Sequence, residues 1–268
     1  MQNFAIKRIW DLSRTTGEPI YVIIDDTISE KTIPSSRAKS PMELCGFHQS
    51  HTKNKTVYGH QIVGVLLQCG DVTIPYELPL YDKKQYDSKG NKISKIMIAI
   101  KAILSLPKPP RQGYVLADSW YSAEKIIKAS LKNGFQYVGA LKTNRVIYPK
   151  DCRLSQKING YAQMIDKDQF HLVTVNGHSY YIFRYQGKIN GFKSVTILIS
   201  YPKNAFHNNN ALKAFITTDI NLSDNELLQR YKCRWTIETF FRQNKMELNL
   251  DKYQIRNFKT FKSCIGKV

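Results

Sequence analysis

The sequence predicts an α/β protein built on a mixed sheet, in the order β-β-β-α-β-α-β and then helices, with a β-rich insertion before the last helices. Three observations predict it. The run IYVIIDDT is short, continuous and β-branched, the kind of strand buried on both faces, and it stops at two aspartates. Strand-like and helix-like periods then alternate as far as FQYVGAL, the pattern of a sheet layered with helices. From about residue 145 to 218 no long helical period is visible, and short β-branched and aromatic runs take over.

Each element has a local reason. Residues 2–14 have helical spacing through Ile6, Ile9 and Trp10, and TTGEP breaks that helix before IYVIIDDT. HQIVGVLLQ and VTIPYELPLY are two further strands, which Cys69-Gly70-Asp71 joins as an antiparallel hairpin. SKIMIAIKAILSL is a helix, stopped by PKPPRQG ahead of the strand YVLAD. Residues 122–133 form a helix with Ser122 as N-cap and Gly134 past its end, and the strand FQYVGAL follows. In the insertion, FHLVTV, SYYIFRYQG, KSVTILIS and KAFITTD are strands. Ser223 and Glu226 make a capping box for a helix that leads into RYKCRWTIETFFRQNK.

Composition narrows the partners. Forty Lys and Arg against 21 Asp and Glu leave a net charge of +19, a field that favours polyanions and makes nucleic acid the first candidate partner. No run reaches about 18 apolar residues and the N-terminus lacks a signal-peptide core, so no membrane anchor is expected and the chain reads as cytoplasmic. The five cysteines are scattered and never spaced Cys-x-x-Cys, which argues against disulfides and a structural zinc cluster. CGFHQSH does bring Cys45, His48 and His51 close in sequence, with His60 near, but such a cluster more often lies on a polar loop beside a strand.

Because acids are scarce, their placement is informative. Asp25 and Asp26 end the first strand, Asp118 ends YVLAD, and Glu238 sits in the last long helical stretch. Aspartates at the carboxyl ends of neighbouring strands, with a glutamate from a helix crossing the sheet, can hold two hard divalent cations. Taken singly, each has a plainer reading: a strand-end aspartate is commonly a turn residue, and Glu238 can bridge Arg234 and Arg242 at helical spacing. On one continuous helix, Tyr231, Arg234, Glu238, Arg242 and Lys245 share a basic stripe beside an apolar face that includes Cys233, Ile237, Phe240, Phe241 and Leu248.

The spacing Tyr231-x2-Arg234-x3-Glu238-x6-Lys245 resembles the YREK signature of a large branch of bacterial insertion-sequence DDE transposases. VIIDDTISEK resembles the first-aspartate segment of that branch, where Asp-Thr follows a hydrophobic strand, and GYVLADSWYSAEKII resembles the second. The resemblance implies an RNase H-like core that cleaves and transfers DNA strands with two Mg²⁺ or Mn²⁺ ions. It makes Asp26, Asp118 and Glu238 the metal-binding catalytic triad, the Asp-Thr dipeptide favouring Asp26 over Asp25. Tyr231, Arg234 and Lys245 become contacts to phosphates at the element's ends, with Arg242 on the same stripe. Lys53, Lys55, Lys142 and Arg145 are less specific DNA-contact candidates.

The implied division is a helical lead-in over residues 1–19, core over 20–144, insertion over 145–220, and C-terminal helices over 221–268 that complete the core. Expected partners are inverted-repeat element ends and target DNA, with a homodimer in the synaptic complex and a nucleoid location in a bacterium. Relatives usually carry further N- and C-terminal regions, so a copy truncated at both ends is expected. A nuclease on the same core that does not transpose, and a non-enzymatic DNA-binding remnant, are the alternatives.

Overall fold

The computed structural model describes residues 2–37, 42–50, 53–175, 177–247 and 249–253. In chain order the elements are α1 (Gln2–Thr16), β1 (Ile20–Glu30), β2 (Gly46–Ser50), β3 (Lys55–Cys69), β4 (Val72–Glu77), β5 (Leu80–Tyr81), α2 (Lys95–Ser105), β6 (Gly113–Ala117) and α3 (Glu124–Lys132). Then follow β7 (Gln136–Leu141), β8 (Val146–Ile147), β9 (Gln156–Lys157), α4 (Ile158–Met164), β10 (His171–Val175), β11 (His178–Ile189), β12 (Phe192–Pro202), β13 (Lys213–Thr217), α5 (Asp224–Lys232) and α6 (Trp235–Met246). Parallel and antiparallel pairing both occur, so the architecture is the mixed α/β class that the sequence predicts, compatible with an RNase H-like fold. The chain divides into two compact units, residues 1–107 with 235–268, and residues 108–234.

The first unit is organised by β3, the fifteen-residue spine of its sheet. β1 runs antiparallel to it with Asp25 opposite Gly64 and Asp26 opposite Val63, while β2, β5 and β4 pair with it in turn. Ile20, Val22, Ile23 and Ile24 of β1 and Val63 to Leu67 of β3, Gly64 apart, are the core, covered on one side by Ala5, Ile9 and Trp10 of α1. Two-sided burial explains why IYVIIDDT lacks an alternating pattern. Strand β2 overturns the expectation of a polar loop at CGFHQSH.

In the second unit β6 and β7 are parallel, joined by α3. β13, β12 and β11 continue from β7 by antiparallel pairing, and β11 also pairs with β10 and β8. The four insertion strands fall where the β-branched runs are, whereas the two-residue strands β8 and β9 and the seven-residue helix α4 are too short for periodicity to reveal. Ser122 is not the cap of α3. The N-cap is Ala123, without a side-chain bond, and the Ser122 hydroxyl is engaged with the Asp118 and Ala140 carbonyls and the Tyr137 hydroxyl. The box at α5 forms as expected: Ser223 Oγ accepts from the Glu226 N–H, and Glu226 Oε2 accepts from the Ser223 N–H at 2.9 Å.

One expectation about the last helices fails. Tyr231 to Lys245 do not lie on one helix, because α5 closes at Cys233 with i→i+3 bonds from Cys233 to Arg230 and from Arg234 to Tyr231, and α6 starts afresh at Trp235. Tyr231 and Arg234 therefore belong to the second unit, Glu238, Arg242 and Lys245 to the first. Leu248, His51, Cys264 and the end of the expected C-terminal region, residues 254–268, lie outside the described residues.

Candidate active site

Helix α6 docks on one face of the β1–β3 pair, and four contacts fix which face. The Thr236 hydroxyl donates to Gln68 Oε1 at 3.1 Å, and a Cβ on Gly64 would stand 2.5 Å from Phe241 Cζ and 3.3 Å from Ile237 Cδ1. Lys245 Nζ donates to the Ile28 carbonyl at 2.8 Å, and beyond the helix Ser29 Oγ donates to the Leu250 carbonyl at 2.7 Å. Gly64 is thus a residue whose missing side chain lets an aromatic ring close on the backbone. Side chains directly opposite one another in an antiparallel pair point to the same face, so Asp25, opposite Gly64, is on the α6 face.

Residues seven apart lie on nearly the same side of a helix, so Glu238 occupies the flank from which Lys245 reaches β1. Helix α6, which carries Glu238, therefore covers the face of the first unit on which Asp25 lies. Asp25 Oδ1 also accepts the Asp26 N–H at 2.8 Å, which stiffens the strand at that point.

Asp26 is on the other face, with α2. Lys95 Nζ donates to its Oδ1 at 2.8 Å and Gln61 Nε2 to its Oδ2 at 2.6 Å, the lysine and aspartate side chains each being only 15% exposed. Lys95 opens α2, where no acid accompanies it and a positive charge opposes the helix dipole. The ion pair with Asp26 accounts for its position. Sequence reasoning missed this partner, although a base leading an apolar helix was the available signal.

The other predicted residues are spread over several environments. Lys53 pairs with Glu30, which this contact and the charges of Lys53, Lys55 and Lys245 hold below the usual carboxylate range, and Lys55 is exposed at the start of β3. Arg242 is exposed on α6, while Lys245 lies 3.8 Å from the Asp251 carboxylate in addition to its carbonyl bond. In the second unit, Tyr231 packs on Phe215 at 4.8 Å between ring centroids, with the Arg234 guanidinium 5.6 Å from the Tyr231 ring. Arg184 ties the start of α5 to the sheet, donating to Asp224 and to the Leu222 and Ile220 carbonyls. Lys142 and Arg145 are exposed in the turn after β7.

The Cys45, His48 and His60 grouping does not form a metal site. His60 is on the α6 face, where its Nδ1 meets the Tyr253 hydroxyl at 2.5 Å and its Nε2 the Glu43 carbonyl at 2.7 Å. His48, opposite Val57, faces the other way. Among the described residues no group of three or more His, Cys, Asp or Glu side chains is set to hold a metal ion. None of their helices is long and apolar enough to cross a membrane.

Compared with known protein families, residues 19–264 match the transposase DDE domain. The chain belongs to that family. A search of the curated proteins found no match. Membership accounts for the +19 charge, since a transposase acts on DNA, a polyanion. It also directs attention to Asp118 of this transposase domain, which follows β6. Its Oδ1 accepts the N–H groups of Trp120 at 3.0 Å and Tyr121 at 3.1 Å, so one carboxylate oxygen is committed to the turn.

Proposed function

We propose that the chain is a catalytic domain that cleaves DNA at the ends of an insertion element and joins the freed 3′-hydroxyl to target DNA, with Asp25, Asp118 and Glu238 as its metal-binding acids. The observation that carries this reading is that α6, the helix of Glu238, seats on the face of β1 where Asp25 lies. It replaces Asp26, the residue favoured by the Asp-Thr dipeptide, because Asp26 faces α2 and is neutralised there by an ammonium 2.8 Å away that would repel a divalent cation. Asp118 enters from its motif, VLADSWYSAE, at the end of a strand.

The donor set suits Mg²⁺ or Mn²⁺, which favour carboxylate oxygens. When bound, a pair of such ions supplies an activated water or 3′-hydroxyl and offsets charge on the leaving oxygen. The chain's own part is to aim hard oxygen ligands from a rigid strand and a docked helix, with Arg234, Arg242 and Tyr231 as contacts to the flanking phosphates.

The test uses Mn²⁺ and duplex DNA carrying the element's inverted repeats, with cleaved and joined products resolved by length. Asp25→Asn and Glu238→Gln should abolish both products, beyond the about 10–100-fold that loss of a supporting residue costs, while leaving DNA affinity unchanged. Asp26→Asn should still cut. Active Asp25→Asn beside inert Asp26→Asn would reverse the assignment; nicking without joining by wild type would leave a nuclease.

A further inference from the structure

The turn that carries Asp118 also fixes an aromatic ring and a guanidinium. Besides the two N–H bonds to Asp118 Oδ1, the Asp118 carbonyl accepts from the Ser122 N–H at 3.1 Å and from the Ser122 hydroxyl at 3.1 Å. Tyr121 is anchored in the core, 1% exposed, and Trp120 meets it edge-on with ring centroids 4.8 Å apart at 72°. Trp120 itself stays 40% exposed. From the turn after β7, Arg145 Nη2 donates to the Ser122 carbonyl at 3.1 Å.

A single exposed tryptophan needs no explanation by itself. Here, however, the indole is held two residues from a carboxylate assigned to the reaction, and the same turn holds a guanidinium. Those three groups suit three features of a DNA strand: a carboxylate for the metal at the reacting phosphate, a flat ring for a base, and a planar cation for a further phosphate. We propose that Trp120 stacks on an unpaired nucleobase of the DNA strand engaged at Asp118, while Arg145 holds a neighbouring backbone phosphate. Stacking is tolerant of sequence because every base has a π-face, so the contact places the strand without reading it. The inference rests on Asp118 belonging to the site, yet it can be tested with no catalysis at all.

The experiment measures binding of the full chain to fluorescein-labelled oligothymidine in EDTA, by anisotropy and by tryptophan emission. Trp120→Leu should weaken binding about 5- to 100-fold, Trp120→Phe should restore most of it, and Arg145→Gln should lower the slope of log affinity on log salt by about one. Saturating oligonucleotide should quench wild-type emission and quench Trp120→Phe much less. Unchanged affinity in Trp120→Leu, or the same quench in Trp120→Phe, overturns the proposal. So does a loss that Phe does not restore and that tracks a lowered melting temperature by circular dichroism. Failure of the catalytic reading looks different: no cleavage with Mn²⁺, with stacking intact.

Discussion

Asp25 and Asp26 are adjacent, chemically identical, and set by the pleat into different environments. Asp26 and Lys95 form a largely buried ion pair, and such a pair is better judged by what its breakage leaves behind than by its own strength. Lys95→Met leaves a largely buried carboxylate between β1 and α2 without its ammonium, the Gln61 amide still donating to Oδ2. We expect Lys95→Met alone to cost about 3–5 kcal/mol, and the double variant with Asp26→Asn to cost less than that single change. Urea denaturation of the four-membered cycle measures both; additive costs would mean that the pair is not coupled. No sequence pattern could have chosen between the two aspartates. Alternation says that they face opposite ways, but which face α6 covers depends on a helix about 210 residues further on. A local signal was Gly64, a glycine within the apolar run IVGVLL of β3, which marks a close approach.

At the scale of elements, the site depends on how closely α6 seats on β3. Gly64→Ala would put a methyl group 2.5 Å from Phe241 Cζ, so the ring or the helix must move. The expected cost is about 1–3 kcal/mol of stability, with cleavage falling further than folding because Glu238 shifts with the helix. Phe241→Leu in the same chain should recover stability before activity, read from urea midpoints and from single-turnover cleavage. The elements themselves were largely legible. Long strands and α2 announce themselves through β-branched runs and a helical period, and the α5 cap through Ser223 and Glu226. The break between α5 and α6 was not, because no Gly or Pro marks it: RYKCRW contains only residues a helix accepts, and a tightened last turn is a tertiary outcome. That break moved Tyr231 off the helix of Glu238.

For the molecule as a whole, charge and burial act together on acid stability. At +19 the chain already repels itself, and protonation of carboxylates and histidines adds to that repulsion. A second contribution comes from His48 and His60, which burial holds below the usual imidazole range, with nearby Lys83 and Lys95 acting in the same direction on His48 and Lys31 on His60. A histidine lowered in the fold is neutral there while the unfolded chain, at 6.5, takes up a proton. Its contribution is therefore complete above that value and is lost as pH falls through it. Unfolding midpoints should drop between about pH 7.5 and pH 5.5, and added salt should recover the self-repulsion but not the cost of charging buried rings. His48→Phe keeps a ring in the same space and removes one proton-binding group, so its midpoint should fall less steeply with acid than that of wild type. Parallel slopes for the two proteins, or complete recovery by salt, would leave surface repulsion as the whole cause.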